Sequence, residues 1–126
     1  MITVHWDNVE QTTIRCDYAE PITWEEYDAA VDQVAAMLQS ASQPVWVLHN
    51  PGAAKMPPGS PIPHVRAALQ KNKHPNCRMV IAVINDIFAL NMVTTVVRVL
   101  FRGRFRVAGS LNEAYQVIHE EHWAKI

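Results

Sequence analysis

The sequence is poor in the residues that build disulfide frameworks, membrane spans and phosphate-binding loops. Only two of its 126 residues are cysteine and only four are glycine. Cys16 and Cys77 fall in or beside predicted strands, which favours buried thiols over a disulfide framework. No stretch approaches the roughly 20 apolar residues of a membrane span, because polar residues interrupt the longest apolar segment, 87–101. The first residues lack a signal-peptide pattern, so we expect a cytoplasmic protein with no membrane span.

Charge and motif content restrict the function classes. Charged residues make up 18% of the chain and the net charge is −1, so nucleic-acid binding is not expected. Phosphate-loop, dinucleotide-binding and nucleophile-elbow motifs are all missing, and we predict no catalytic residue and no cofactor. His119 and His122 stand three residues apart without a third ligand at a suitable spacing, so no metal site is predicted. The first half of the chain is acidic and the second half basic, a polarity that can orient a partner or simply face solvent.

Strand patterns are present instead. The alternation of apolar and polar residues in Ile2–Trp6 and Thr13–Tyr18 predicts an antiparallel pair with one buried face. Apolar runs at 45–48 and 79–84 predict strands covered on both faces, the second being the central strand. Phe105–Ala108 supplies a last short strand.

Four helices are predicted between and after these strands. A capping box from Thr23 to Glu26 opens the first helix, whose Asp28 and Asp32 are expected to face water. Ser60 is the expected cap of the second helix. We expect Pro61 at the first position of that helix, followed by an apolar stripe of Ile62, Val65, Ala68 and Leu69. A third helix is predicted over 87–102. A second capping box, from Ser110 to Glu113, opens the last helix.

The resulting element order is ββαβαβαβα. Since each strand after the opening hairpin is followed by a helix, we predict an α/β fold with a mostly parallel mixed sheet, an opening antiparallel hairpin and flanking helices. We expect one domain over residues 1–126.

The element order and three segments carry a resemblance to a known family. These segments are Val4-His5-Trp6-Asp7-Asn8, Thr23-Trp24-Glu25-Glu26-Tyr27 and the run from Phe105 to Ala114. Together they resemble the STAS domain, the fold of anti-sigma-factor antagonists and of the cytoplasmic tails of sulfate transporters, including small stand-alone bacterial members without an assigned activity. The resemblance spans almost the whole chain and implies a STAS-like regulatory or protein-binding role.

The same resemblance implies a phosphorylation switch. In phospho-regulated STAS proteins, a serine in the loop before the second helix is phosphorylated. Ser60 occupies that place within residues 57–64, although the acidic neighbour of the family motif is absent and prolines flank the serine. A phosphate there would meet the free amides of a helix start, whereas the alternative is a serine that only caps the helix.

A ligand site is predicted at the carboxyl edge of the parallel strands, where open α/β sheets bind ligands. The candidate ligand- or anion-binding residues are His49, Asn50, His64, Asn85, Asp86 and Ser110. Several of them are also expected helix caps, which is the alternative explanation.

The third predicted helix has little polar surface, which indicates an extra contact. We predict a homodimer through it, with interface candidates Phe88, Met92, Val96, Leu100, Arg98 and Arg102. The leading hypothesis is a regulatory, protein-interaction module that an anion or phosphate near Ser60 could tune. A carrier of a small apolar or lipid-like ligand, lined by the third helix, and a weak enzyme using the loop from His49 to His64 are the alternatives.

Overall fold

The computed structural model describes residues 1–52, 54–84 and 105–124, and the side chains as far as residue 121. The predicted helix over 87–102 lies outside these residues. The described elements are β1 (Ile2–Trp6), β2 (Thr13–Tyr18), α1 (Trp24–Ser40), β3 (Val45–Asn50), α2 (Ile62–Lys71), β4 (Cys77–Val83), β5 (Phe105–Ala108) and α3 (Leu111–Ala124). Of the helices in this part of the chain, none is both long and apolar enough to cross a bilayer.

The five strands form one mixed sheet in the order β1-β2-β3-β4-β5. β1 and β2 are antiparallel, and every later neighbouring pair is parallel. The predicted α/β class and mixed sheet are therefore confirmed for the described residues. The prediction that 79–84 forms the central strand is wrong, because β3 occupies the middle. Burial on both faces, and not position in the sheet, makes β4 so apolar.

Each face of the sheet has its own apolar core. The face toward α1 and α2 is built from Ile14, Cys16, Val34, Leu38, Val45, Val47, Cys77 and Val80. The face toward α3 is built from Trp46, Leu48, Met79, Ile81, Val83, Ala108 and Ala114. Alternation along the strands explains this division, since successive side chains point to opposite faces.

A bulge interrupts the pairing of β3 with β4. Val45 pairs with Cys77, but Trp46 pairs with Met79, so Arg78 is an extra residue on β4. Its guanidinium carbon lies 5.1 Å from the centre of a Trp46 ring, a cation–π contact. The bulge thus turns a cationic side chain onto the α3 face.

The two capping boxes have different outcomes. The Thr23 hydroxyl accepts from the Glu26 amide at 3.1 Å, as predicted, while the Glu26 carboxylate pairs with the amino group of Met1. At α3, Ser110 Oγ accepts from the Glu113 amide at 3.1 Å as predicted, while Glu113 Oε2 accepts from the Gly109 amide at 2.9 Å, one residue before the cap.

The predicted start of α2 is wrong by one residue. The helix begins at Ile62, its cap is Pro61 in a helical conformation, and no side chain caps it. Ser60 therefore does not cap α2. Ile62 was expected in the buried stripe, yet it is 44% exposed, while Ala68 and Leu69 are buried.

The two aspartates of α1 do not simply face water. His64 Nδ1 lies 3.0 Å from Asp28 Oδ1, and Lys71 Nζ lies 2.6 Å from Asp32 Oδ1. Both bases belong to α2, which packs along α1. An imidazole–carboxylate contact and a lysine–carboxylate ion pair therefore join helices that the sequence pattern treats separately.

Candidate functional site

His49 and Asn50, predicted as neighbours in one site, lie on opposite faces of the sheet. Both are the last residues of β3, which extends two residues beyond the predicted strand. His49 shares the face of Val47, under α1 and α2, and Asn50 shares the face of Leu48. Two of the candidate ligand-binding residues are therefore separated by the sheet and cannot belong to one site.

His49 pairs with a tyrosine. Its Nδ1 lies 2.9 Å from the hydroxyl oxygen of Tyr18, the last residue of β2. Burial lowers the pKa of His49 to about 4 and raises the pKa of Tyr18 well above its ordinary value. Near neutral pH the imidazole is uncharged and the phenol keeps its proton, so the pair is a neutral hydrogen-bonded unit.

Asn50 belongs to a polar network on the other face. Asp17 accepts hydrogen bonds from Asn50 Nδ2 at 2.9 Å and from Arg15 Nε at 2.9 Å, and it contacts His5 Nε2 at 3.2 Å. Burial opposes the charged form of Asp17, but the hydrogen bonds from Asn50, His5 and Arg15 outweigh it and lower the pKa. Arg15 also donates to the Tyr115 hydroxyl, so the network fastens α3 to the hairpin.

The segment over residues 54–61, here called the strap, lies between β3 and α2. Its Lys55 amide donates to Glu20 Oε1 at 2.8 Å, and its Pro58 carbonyl accepts from Trp24 Nε1 at 2.9 Å. The Trp24 ring stacks on the His64 imidazole, with 4.5 Å between ring centres and 4° between planes. No local sequence pattern predicts these contacts, because they join residues more than thirty positions apart.

The strap presents apolar and hydroxyl groups to solvent. Met56 is 45% exposed, Ile62 directly after the strap is 44% exposed, and Ser60 between them is also exposed. In the described ranges, the other large apolar side chains with comparable exposure are Met1 and Val9. We call Met56, Ser60 and Ile62 together the strap surface.

A shallow open groove lies beside the strap. It measures about 470 Å³ and runs between the strap and the connection from β2 to α1. Its lining residues are Glu20, Pro21, Ile22, Lys55, Met56, Pro57 and Pro58. Its volume falls within the range of small-molecule pockets, but its open shape is that of a surface groove.

The remaining candidates are divided between other places. Ser110 caps α3, and His64 bonds Asp28, so these two serve the helices. Asn85, Asp86 and the six predicted interface residues (Phe88, Met92, Val96, Leu100, Arg98 and Arg102) lie outside the described residues. Within the part of the chain that the structure describes, no three His, Cys, Asp or Glu side chains are arranged to hold a metal ion.

Comparison with known proteins gives no relative. No protein-family model matches the chain, and no curated protein and no solved structure is significantly similar to it.

Proposed function

We propose that the protein is a STAS-like regulatory module that binds another protein through its strap surface. The observation that supports this proposal is the exposure of Met56 and Ile62 on either side of Ser60. Apolar side chains presented among polar neighbours are typical of the central contacts of protein interfaces. The proposed role is therefore recognition and not catalysis.

The conformation of the strap supports the same role. Glu20 and Trp24 hold its backbone in place before any partner arrives. A loop ordered in advance loses less conformational entropy on binding, which favours affinity. The groove beside the strap could then receive a side chain of the partner.

Ser60 would control the interaction. Its side chain caps no helix, and it lies between the two exposed apolar residues. Phosphorylation would add about −2 charge and a large hydration shell between two apolar contacts. We expect the phosphate to weaken binding, so that the unmodified protein is the binding form.

Site-specific photo-crosslinking in the source cells tests the proposal. A photoreactive phenylalanine analogue at Met56 should give one discrete protein adduct, and the same analogue at Val9, which is 97% exposed, should give none. Adding Ser60→Asp should remove the adduct, while Ser60→Ala should preserve it. Equal adducts at both positions, or none at Met56, would contradict the proposal.

A cytoplasmic location and self-association belong to the same proposal. The apolar segment over 87–102 supports a homodimer by its composition alone. Light scattering should give twice the chain mass of 14.2 kDa at micromolar concentration. A monomer mass over the whole accessible concentration range would contradict the proposed homodimer and would leave the proposal for the strap surface unaffected.

A further inference from the structure

We propose that the strap moves as one unit, with Trp24 as the latch that holds it against the start of α1 and so keeps one wall of the neighbouring groove in place. The inference concerns the conformation of the chain alone and does not depend on a partner. It predicts that the two hydrogen bonds that fix the strap form and break together.

The strap has two side-chain ties to the body of the protein. At one point the Glu20 carboxylate accepts from the Lys55 amide, and at the other the Trp24 indole donates to the Pro58 carbonyl. In both ties the strap contributes only backbone atoms. The strap belongs to no helix or strand, and backbone hydrogen bonds hold its two ends, from Ala54 N to the Pro51 carbonyl and from Val65 N to the Pro61 carbonyl. The two side-chain ties therefore fix the part between these ends.

Proline content couples the two ties. Lys55 and Pro58 are separated by only two residues, one of which is Pro57. Proline fixes φ near −65°, so this part of the strap has few alternative conformations. When one tie breaks, the stiff backbone transmits the displacement to the other, because the segment cannot bend sharply between them.

Gly59 gives the strap a turning point directly over the latch. Its φ of +101° lies where residues other than glycine are strained, and a Cβ added there would meet Trp24 Nε1 at 3.8 Å. The indole thus lies under the glycine while it bonds the preceding residue. Trp24 also stacks on His64, which pairs with Asp28, so the latch is itself held by α1 and α2.

The closed strap forms one wall of the groove. Lys55, Met56, Pro57 and Pro58 line it from the strap, and Glu20 and Ile22 line it from the connection between β2 and α1. The tie from Glu20 to Lys55 crosses between these two walls, and the tie from Trp24 to Pro58 fastens the strap wall to the start of α1. Release of Trp24 would therefore let the strap wall move away from the connection between β2 and α1 and widen the groove.

Amide exchange of the purified full chain, followed by NMR, tests the coupling. Trp24→Phe removes the indole donor while retaining an aromatic ring, so it breaks only the tie to Pro58. If the ties are coupled, exchange of the Lys55 amide should accelerate about tenfold, the effect of losing one hydrogen bond. Trp6→Phe, the same substitution in β1, should leave that exchange unchanged.

The reciprocal experiment uses the other tie. Glu20→Ala removes the acceptor of the Lys55 amide, and coupling requires that it also accelerate exchange of the Trp24 indole proton by a similar factor. Glu20→Gln keeps an acceptor oxygen and should preserve protection. Amides in the middle of α1 report any global loss of structure; if Trp24→Phe accelerates them too, the Glu20 variants decide. Changes below twofold at both reporters would overturn the proposal, and the crosslinking result would stand independently.

Discussion

His49 shows how strongly the environment of a single residue departs from its sequence context. The chain before Asn50-Pro51-Gly52 resembles the start of a loop, and a histidine there is ordinarily solvated. In the fold it is the penultimate residue of a buried strand, and it lies against Tyr18. The sequence could suggest the residue as a candidate but could not predict its neutral, half-buried state, since the partner is 31 positions away.

The pKa of His49 predicts acid sensitivity. Because its folded pKa of about 4 lies below the ordinary value of 6.5, the unfolded chain binds a proton more readily as the pH falls through that window. Stability is therefore lost on acidification. His49→Gln, which retains a polar partner for Tyr18, should reduce the loss between pH 7 and pH 5 by up to about 2 kcal/mol in urea unfolding.

His5 supplies a control of opposite sign. Hydrogen bonding to the Trp6 carbonyl and to Asp17 raises its pKa, so its stabilising contribution is present at low pH and is lost as the pH rises through the folded value. His5→Gln should therefore make the protein lose more stability on acidification than the wild type does. If both variants showed the same pH dependence of stability as the wild type, neither histidine would have the assigned protonation behaviour.

The separation in sequence between contacting residues explains which side-chain roles could be predicted. The caps Thr23 and Ser110 were predicted because each bonds an amide three residues away. Asp28 and Asp32 were expected to face water because helical periodicity does not reveal which basic residues a second helix will bring. Ser60 failed as a cap because a difference of one residue in the helix start is below the precision of sequence patterns.

At the scale of elements, the strands were the most predictable feature. Period-2 alternation placed β1 and β2 at their observed bounds, and the short run at β5 was also correct. β3 was predicted two residues too short because its last two residues are polar. Pairing supplied the missing information, since Cys16 and Asp17 of β2 lie beside His49 and Asn50 in the parallel register.

The free edge of β1 is covered by side chains. Its Val4 carbonyl accepts from Gln33 Nε2 at 3.4 Å, and its Trp6 carbonyl lies 3.2 Å from His5 Nδ1. Occupied carbonyls make an edge strand a poor template for pairing with a further strand. These two contacts therefore disfavour pairing of a further strand along Val4–Trp6.

The attachment of α3 to the hairpin depends on one hydroxyl. Tyr115 donates to Asp7 Oδ2 and accepts from Arg15 at 2.9 Å, whereas Asp7 and Arg15 approach each other only to 3.9 Å. Tyr115→Phe leaves two partly buried charged groups without their shared partner. We expect a loss of about 1–3 kcal/mol in the free energy of unfolding, measured by chemical denaturation.

Tyr27→Phe is the matched control for Tyr115→Phe. Tyr27 is a largely buried tyrosine of α1 whose hydroxyl has no hydrogen-bond partner among the described residues. Its replacement should change stability by less than 0.5 kcal/mol in either direction, as ~0.5 kcal/mol bounds most neutral substitutions. If Tyr27→Phe were as damaging as Tyr115→Phe, the loss would reflect ring packing and not the network.

At the scale of the whole molecule, the two cores of the described residues lie on opposite faces of one shared sheet. Leu38 on α1 belongs to one core and Leu48 on β3 to the other, and both are completely buried. Alternating and continuous apolar runs in the sequence predicted such a two-sided sheet. They could not predict which helix covers which face, because that depends on the path of each connection.

A shared sheet predicts that the two cores unfold together. Leu38→Ala and Leu48→Ala should each lower the free energy of unfolding by about 2–5 kcal/mol, because each removes buried methyl groups and leaves a cavity. In each variant, helical circular dichroism and tryptophan fluorescence should report one common transition, since neither face of the sheet remains ordered without the other. Separate midpoints for the two signals in either variant would mean that the cores are independent, and the expectation of a single domain over residues 1–126 would then be wrong.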